Sequence, residues 1–150
     1  MVKLHQDYKE FIKLLNENKV EYHVVGAFAL AFHGHPRFTG DIDFWINNDP
    51  LNAERVFNSI KEIGFPTSDI SEKDFISNDL IFQIGYPPVR IDIITSVSGL
   101  TFEKSFKNKK IKRSGGLKIY FISIEDLKKN KKASGRKKDL IDLEELRKHK

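Results

Sequence analysis

The sequence predicts an α/β fold in which a mixed β-sheet is flanked by helices. Its periodicities run helix, strand, helix, strand, helix, strand, strand, and then a further strand and helices, an order typical of this class. Hydrophobic residues make up 39% of the 150 residues, which is enough to bury one substantial core. We therefore expect residues 1–150 to form a single domain.

The first half of the chain predicts three helices and two strands. Apolar residues at helical spacing in LHQDYKEFIKLLNENK predict an amphipathic helix. VEYHVV predicts a strand that ends at Gly26, and AFALAF predicts a short helix directly after that glycine. GHPRFTG predicts a loop, DIDFWIN a second strand, and LNAERVFNSIKEIG a helix that begins at an Asp49–Pro50 cap.

The second half predicts three strands and shorter helices. LIFQIGYP and VRIDIIT are apolar runs separated by Pro87–Pro88, which indicates two strands. GLTFEKSFKNKK predicts a short helix and a loop, and KIYFIS predicts a short strand. Ser123 and Asp126 form an S-x-x-D capping box for a helix that ends near Ala133, and DLIDLEELRKH predicts a final helix.

Composition excludes several classes of protein. The chain has no cysteine, so disulfides and thiolate metal sites are excluded. No apolar run approaches the roughly 18 residues that a membrane-spanning helix needs. The N-terminal MVKLHQDYKEF is polar and charged from the start, unlike a secretory signal. These observations predict a cytoplasmic protein without membrane contact.

Charge is distributed unevenly along the chain. Residues 1–100 carry 9 Lys and Arg against 14 Asp and Glu, whereas residues 101–150 carry 17 against 7. A basic region of this kind suits phosphate-rich partners such as nucleotides or RNA. The alternative is a lysine-rich surface that is simply solvated.

Three aspartates lie inside apolar strand patterns. Asp41 and Asp43 alternate along DIDFWI and therefore project to one face, and Asp92 lies between two isoleucines in VRIDIIT. If the two strands are neighbours, three carboxylates converge and repel one another unless a cation joins them. Oxygen ligands suit Mg²⁺ or Mn²⁺. The alternative is a solvent-facing acidic pair on an edge strand.

Gly26 lies between a predicted strand and a predicted helix. Backbone N–H groups at such a turn attract anions, and a glycine lets a phosphate approach the backbone closely. A plain turn is the alternative, because the segment has neither a Walker A run nor a G-x-G-x-x-G pattern.

Three separated blocks resemble the nucleotidyltransferase (DNA polymerase β-like) superfamily. They read VVGAFALAFHGHPRFTGDIDFWI, GYPPVRIDIITSVSGLTFEKSF and NKKASGRKKDLIDLEELRK, and together they cover nearly the whole chain. The chain is most similar to a small bacterial nucleotidyltransferase-like family related to toxin and antitoxin nucleotidyltransferases. The resemblance implies the nucleotidyltransferase fold, with a mixed β-sheet flanked by helices.

The resemblance also implies a reaction. A nucleoside triphosphate binds as its Mg²⁺ or Mn²⁺ complex, and its NMP group passes to a hydroxyl on RNA, such as tRNA, or on a protein. Asp41, Asp43 and Asp92 are then the catalytic and metal-binding residues. In this family reaction two such ions are bound. Asp41 and Asp43 hold both of them, and Asp92 ligates the one that activates the attacking hydroxyl. Since 150 residues leave little room for an acceptor-recognition domain, we also expect a partner protein.

The nucleotide-binding residues implied by the resemblance surround the acidic strands: Gly26, Ala27, Arg37, Thr39, Lys132 and Arg136. Ala27 departs from the family, which has Gly or Ser there, so a hydroxyl contact to phosphate is lost. We expect Asp139 to act as a helix cap or as a partner for Arg136, and Asp142 to lie on an exposed face.

Two other functions remain open from the sequence. One is a non-catalytic, antitoxin-like module that binds a nucleotide or a partner, which Ala27 favours. The other is a small phosphohydrolase with a D-x-D nucleophile. It is disfavoured because Asp43 is followed by Phe44 and Trp45 and is preceded by a glycine-led strand and helix.

Overall fold

A computed structural model describes residues 4–35 and 39–148, which form six strands and six α-helices. The strands are β1 (Tyr22–Val25), β2 (Asp41–Ile46), β3 (Ile81–Ile84), β4 (Arg90–Ile94), β5 (Lys110–Ser114) and β6 (Leu117–Phe121). The helices are α1 (Gln6–Glu17), α2 (Gly26–Phe32), α3 (Pro50–Glu62), α4 (Phe102–Lys107), α5 (Ile124–Ser134) and α6 (Lys137–Lys148). A 3₁₀ helix, Glu72–Ile76, follows α3.

The six strands make one mixed sheet in the order β3-β4-β2-β1-β6-β5. The central pairs β2–β4 and β1–β6 are parallel, whereas β1–β2, β3–β4 and β5–β6 are antiparallel. Helices flank this sheet, so the predicted fold class is confirmed.

Local capping explains where three of the helices begin. The His5 ring accepts a hydrogen bond from the N–H of Asp7 at the start of α1. Asp49 caps α3, with Pro50 in the first turn, as the sequence predicted. Ser123 caps α5 by accepting the N–H of Asp126. Each cap satisfies a backbone donor that the first helical turn leaves without a partner.

One face of the sheet packs against α1 through aromatic rings. Tyr22 of β1 and Phe44 of β2 are fully buried, with their ring centroids 5.5 Å apart, and Phe11 of α1 meets Phe44 edge-on. Rings in this arrangement add to the hydrophobic stabilisation of their buried area. This face therefore anchors the central strands that carry the aspartates.

The opposite face is partly closed by α4. His23 of β1 stacks on Trp45 of β2, and Phe102 of α4 meets both rings edge-on. Asp43 lies two residues before Trp45 on β2 and therefore projects to the same face of the sheet. The aspartates therefore occupy the part of this face beyond the aromatic cluster.

Strand β5 and the 3₁₀ helix were not predicted from the sequence. The β5 segment is KIKRS, largely exposed, and it pairs only with β6 across a turn at Gly115–Gly116. Because β5 is an edge strand, its polar side chains face water and leave no alternating apolar pattern. Among residues 4–35 and 39–148, no helix is both long and apolar enough to cross a membrane.

Candidate active site

Three carboxylates meet where β2 and β4 run side by side. The parallel register places Asp43 beside Asp92, and Asp41 lies two residues before Asp43 on the same face. One carboxylate oxygen from each of Asp41, Asp43 and Asp92 lies within 4.8 Å of the other two. Asp92 is buried, and the other two are partly buried. We call these three residues the acidic triad.

The environment of the triad favours uptake of a positive charge. Burial, together with the negative charges of Asp41 and Asp92, raises the pKa of Asp43 to about 7. Like-charged groups this close are stable only if one is protonated or if a cation lies among them. The donors are all carboxylate oxygens in a compact cluster, which fits a hard divalent ion such as Mg²⁺ or Mn²⁺.

Arg90 supplies a cation to the triad. It begins β4, where its register partner is Asp41, and it precedes Asp92 by two residues on the same face. Its Nη2 donates to Asp41 Oδ2 at 2.6 Å and to Asp92 Oδ2 at 3.0 Å, and its Nε donates to Asp92 Oδ1 at 2.8 Å. The sequence pattern had assigned Arg90 no role, although its position two residues before Asp92 places it on the acidic face.

Gly26 shapes the triad from the neighbouring strand. It follows β1 directly and has a φ of +71°, a left-handed conformation that favours glycine. A Cβ at this position would overlap the Asp43 carboxylate. The backbone conformation and the Asp43 carboxylate therefore both favour glycine here, and its predicted phosphate contact stays a prediction. Ala27 is the next residue of α2 and is partly buried.

Thr39 contacts the triad directly. Its hydroxyl lies 2.8 Å from Asp41 Oδ1, in position to donate to that oxygen. It thus orients the carboxylate, a contact that the sequence did not anticipate, and its predicted phosphate contact stays a prediction. Arg37 lies outside the described residues, so its place relative to the triad is also left as predicted.

A cleft of about 620 Å³ opens beside the triad. Gly26 and Asp43 line one side, and Ser134 and Arg136, from the junction of α5 and α6, line another. The structure therefore brings Arg136 to the same cleft as Asp43, although α5 and α6 lie far from Asp43 in the sequence. Lys132 is exposed and does not line this cleft.

A buried ion cluster fixes the α5–α6 junction. Lys131 Nζ lies 3.0 Å from Asp142 Oδ2 and 3.4 Å from Asp139 Oδ1. Asp139 also accepts hydrogen bonds from Ser134 Oγ and from Arg136 Nε. Burial alone would raise the pKa of Asp139, but these hydrogen bonds and the charge of Lys131 outweigh it and lower that pKa. The cluster holds Ser134 and Arg136 at the edge of the cleft.

Two expectations about these acidic residues had different outcomes. The pairing of Asp139 with Arg136 is confirmed. The expectation that Asp142 is exposed was wrong, because Asp142 is only 6% exposed and pairs with Lys131. Four lysines lie along α5, and no pattern in the sequence marks Lys131 as the one that faces inward.

The fold and the acidic triad together define a nucleotidyltransferase-like protein. A mixed sheet, a glycine turn after a central strand, a D-x-D pair on the next strand and a third Asp on a parallel neighbour occur together. The chain belongs to the family described as nucleotidyl transferase of unknown function (DUF2204), which matches residues 4–150. The superfamily resemblance inferred from the sequence is thus confirmed.

Comparison with solved structures supports the same fold. The crystal structure of a candidate nucleotidyltransferase from Thermotoga maritima, TM1012, superposes with a TM-score of 0.62 at 19% sequence identity. The match covers 93% of this chain and 88% of that chain. At this identity the likeness establishes the fold alone. No curated protein matches the chain in sequence.

Proposed function

We propose that this protein transfers an NMP group from a nucleoside triphosphate to a hydroxyl, using Mg²⁺ or Mn²⁺. The observation that carries the proposal is the convergence of Asp41, Asp43 and Asp92 within 4.8 Å beside an open cleft. The family description adds support, since it names the transfer but not the donor or the acceptor. Contributions to the cleft from β1, β2 and the α5–α6 junction suggest that residues 1–150 work as one domain.

The three aspartates share one role in this reaction, and Asp92 has a second role. Asp41, Asp43 and Asp92 would hold the divalent ion, which supplies positive charge against the triphosphate and lowers the pKa of the attacking hydroxyl. The acceptor oxygen forms a bond to the α-phosphorus while the bond from phosphorus to the bridging oxygen breaks. Pyrophosphate leaves with that electron pair, and the hydroxyl proton passes to Asp92. Positioning and neutralisation of charge lower the barrier.

The nucleotide is assigned to the cleft beside the triad. Gly26 and Ala27 would face the triphosphate through their backbone, and Arg136 lies on the other side of the cleft. Nε of Arg136 donates to Asp139, and the terminal nitrogens of its fork would donate to the phosphates. Arg37, Thr39 and Lys132 remain further candidates for contact with the triphosphate or the acceptor.

The acceptor is proposed to be RNA, such as tRNA, or a protein side chain. The RNA assignment is supported by the basic character of residues 101–150. Exposed cationic side chains of this region extend along the β5–β6 hairpin and the outer surfaces of α5 and α6. Of these surfaces, those of α5 and α6 adjoin the α5–α6 junction, which lines the cleft.

A second candidate function is a non-catalytic, antitoxin-like module that binds a nucleotide or a partner protein. Ala27 favours it, because the hydroxyl that a Ser would offer to phosphate is missing. The two candidates differ in one measurable property, which is transfer of the α-phosphate.

A labelling experiment tests the proposal. The protein is incubated with each α-³²P-labelled NTP, Mg²⁺ or Mn²⁺, and a cell extract that contains RNA and protein. We expect label in an RNA or protein band with the wild type and with Asp69→Asn, an exposed carboxylate outside the triad. The Asp41→Asn/Asp43→Asn variant should give none. Absence of label with every nucleotide would reject transfer and favour the binding module.

A further inference from the structure

Arg90 bridges two members of the acidic triad, Asp41 and Asp92. Its guanidinium spans β2 and β4, with hydrogen bonds of 2.6 Å to Asp41 and of 2.8 and 3.0 Å to Asp92. Thr39 meets the second oxygen of Asp41. All four carboxylate oxygens of Asp41 and Asp92 therefore already accept hydrogen bonds, and three of these bonds come from one residue.

The position of Arg90 in the fold makes this contact specific. Its side chain is 26% exposed, so part of its hydration is lost, and Asp92 below it is only 8% exposed. A buried carboxylate without a cation is strongly unfavourable, and a planar fork satisfies two carboxylates at once in a way that a lysine cannot. Tyr8 holds the backbone of the same residue, because its hydroxyl lies 3.2 Å from the carbonyl oxygen of Arg90.

We infer that Arg90 is an internal counter-cation, which holds the triad together without metal and competes with the divalent ion for Asp41 and Asp92. The inference rests on the proposed function only for the identity of the ion. Its physical basis is that the guanidinium and the ion bind the same carboxylate oxygens of Asp41 and Asp92. The two cations also repel each other across a few ångströms. Arg90 is thus a positioning residue that keeps the metal-free site folded and weakens its affinity for the ion.

Binding of Mn²⁺ followed by electron paramagnetic resonance tests the competition. We expect Arg90→Gln to bind Mn²⁺ about tenfold more tightly than the wild type, the scale on which one charge acts at this distance in water-like surroundings. Arg113→Gln, which removes the same charge from exposed β5, should bind Mn²⁺ as the wild type does. In the presence of a chelator, Arg90→Gln should have a lower Tm than the wild type, and saturating Mn²⁺ should remove the difference.

Each result of this experiment has a distinct meaning. Equal or weaker Mn²⁺ binding by Arg90→Gln would overturn the counter-cation role and leave the proposed transfer standing. Absence of Mn²⁺ binding by both the wild type and the variant would overturn the inference and the proposed metal-dependent function together.

A second measurement uses only the wild-type protein and does not depend on whether the variant folds. The ¹H–¹⁵N resonance of Arg90 Nε reports its bond to Asp92. We expect Mg²⁺ to shift this resonance in a saturable way, with the midpoint that Mg²⁺ shows when it displaces Mn²⁺. A resonance that stays unchanged while Mg²⁺ displaces Mn²⁺ would overturn the inference.

Discussion

Gly26 lies directly against the carboxylate of Asp43, so that any Cβ at position 26 would overlap Asp43 Oδ2. Gly26 directly follows β1, and Asp43 of the neighbouring strand β2 pairs with Val25, the residue before Gly26. The backbone of the turn therefore packs against the triad itself. This contact links a glycine at the strand end to the position of a proposed metal ligand.

Gly26→Ala should destabilise the protein and displace Asp43. Two costs add here, the left-handed φ of +71° and the clash with the carboxylate. We expect a loss of about 2–4 kcal/mol in the free energy of unfolding. Urea denaturation measures this loss, and weakened Mn²⁺ binding should accompany it.

Gly64→Ala is the matched control for the clash. Gly64 has a φ of +92°, and a Cβ added there would meet no atom within 4 Å beyond its chain neighbours, so its substitution carries the backbone cost alone. We expect it to cost about 1–2 kcal/mol and to leave Mn²⁺ binding unchanged. Equal effects of the two substitutions would show that Asp43 does not constrain position 26.

The metal-free protein should lose stability as pH rises through the range in which Asp43 ionises. Its pKa is raised from 3.8 to about 7, so the native state holds this proton more tightly than the unfolded chain. The contribution of Asp43 to the free energy of unfolding should therefore fall between about pH 4 and pH 7, by up to about 4 kcal/mol. Denaturation in the presence of a chelator at a series of pH values measures the slope.

Asp43→Asn should flatten this pH dependence, because the amide does not ionise. At about pH 8 the metal-free variant should be more stable than the wild type, whereas Asp69→Asn should follow the wild type. A pH profile of Asp43→Asn identical to that of the wild type would assign the titration to another group.

Lys131→Met should be strongly destabilising, because it removes the buried cation that Asp139 and Asp142 share. Lys131, Asp139 and Asp142 are 5%, 2% and 6% exposed. Loss of one partner in such a cluster costs about 3–5 kcal/mol. Lys132→Met is the matched control, since this neighbouring lysine is exposed and should cost less than about 0.5 kcal/mol. Equal stability of the two variants, measured by urea denaturation, would contradict the role of Lys131.

The sequence predicted structure best at positions where the type of one residue and its immediate neighbours together indicate its place in the fold. Asp41, Asp43 and Asp92 are carboxylates within apolar runs, and this pattern predicted both the strands and their convergence. Pro50 after Asp49 likewise predicted the start of α3. In each case local chemistry and tertiary structure require the same residue, so the pattern is visible without a structure.

Features that depend on pairing across the fold could not be read in this way. Arg90 meets Asp41 only because β2 and β4 are parallel and in register, which no local pattern states. Lys131 and Lys132 are adjacent lysines that the sequence does not distinguish. Only the docking of α6 on α5 decides which one is buried. Strand β5 takes its conformation from pairing with β6 and not from its own polar sequence.

Acid should destabilise the protein through His23. This residue is fully buried, stacks on Trp45 and lies 2.8 Å from Ser105 Oγ through Nε2. Burial lowers its pKa from 6.5 to about 3, and the charge of Lys109 adds to the effect. The unfolded chain binds a proton that the native state excludes, so the contribution of His23 to stability is complete above about pH 6.5 and is lost as the pH drops toward 3, opposite in sign to the contribution of Asp43.

The double variant His23→Phe/Ser105→Ala tests this assignment. His23→Phe alone leaves a buried Ser105 hydroxyl without that partner and should cost about 1–3 kcal/mol at pH 7. Removing both polar groups should recover part of the loss and should also flatten the acid limb of the stability curve. His5→Asn removes an exposed histidine but keeps a capping side chain for α1, so it should retain the wild-type acid limb. Denaturation at a series of pH values between about pH 4 and pH 7 measures the acid limb of each variant. An unchanged acid limb in the double variant would place the titrating group elsewhere.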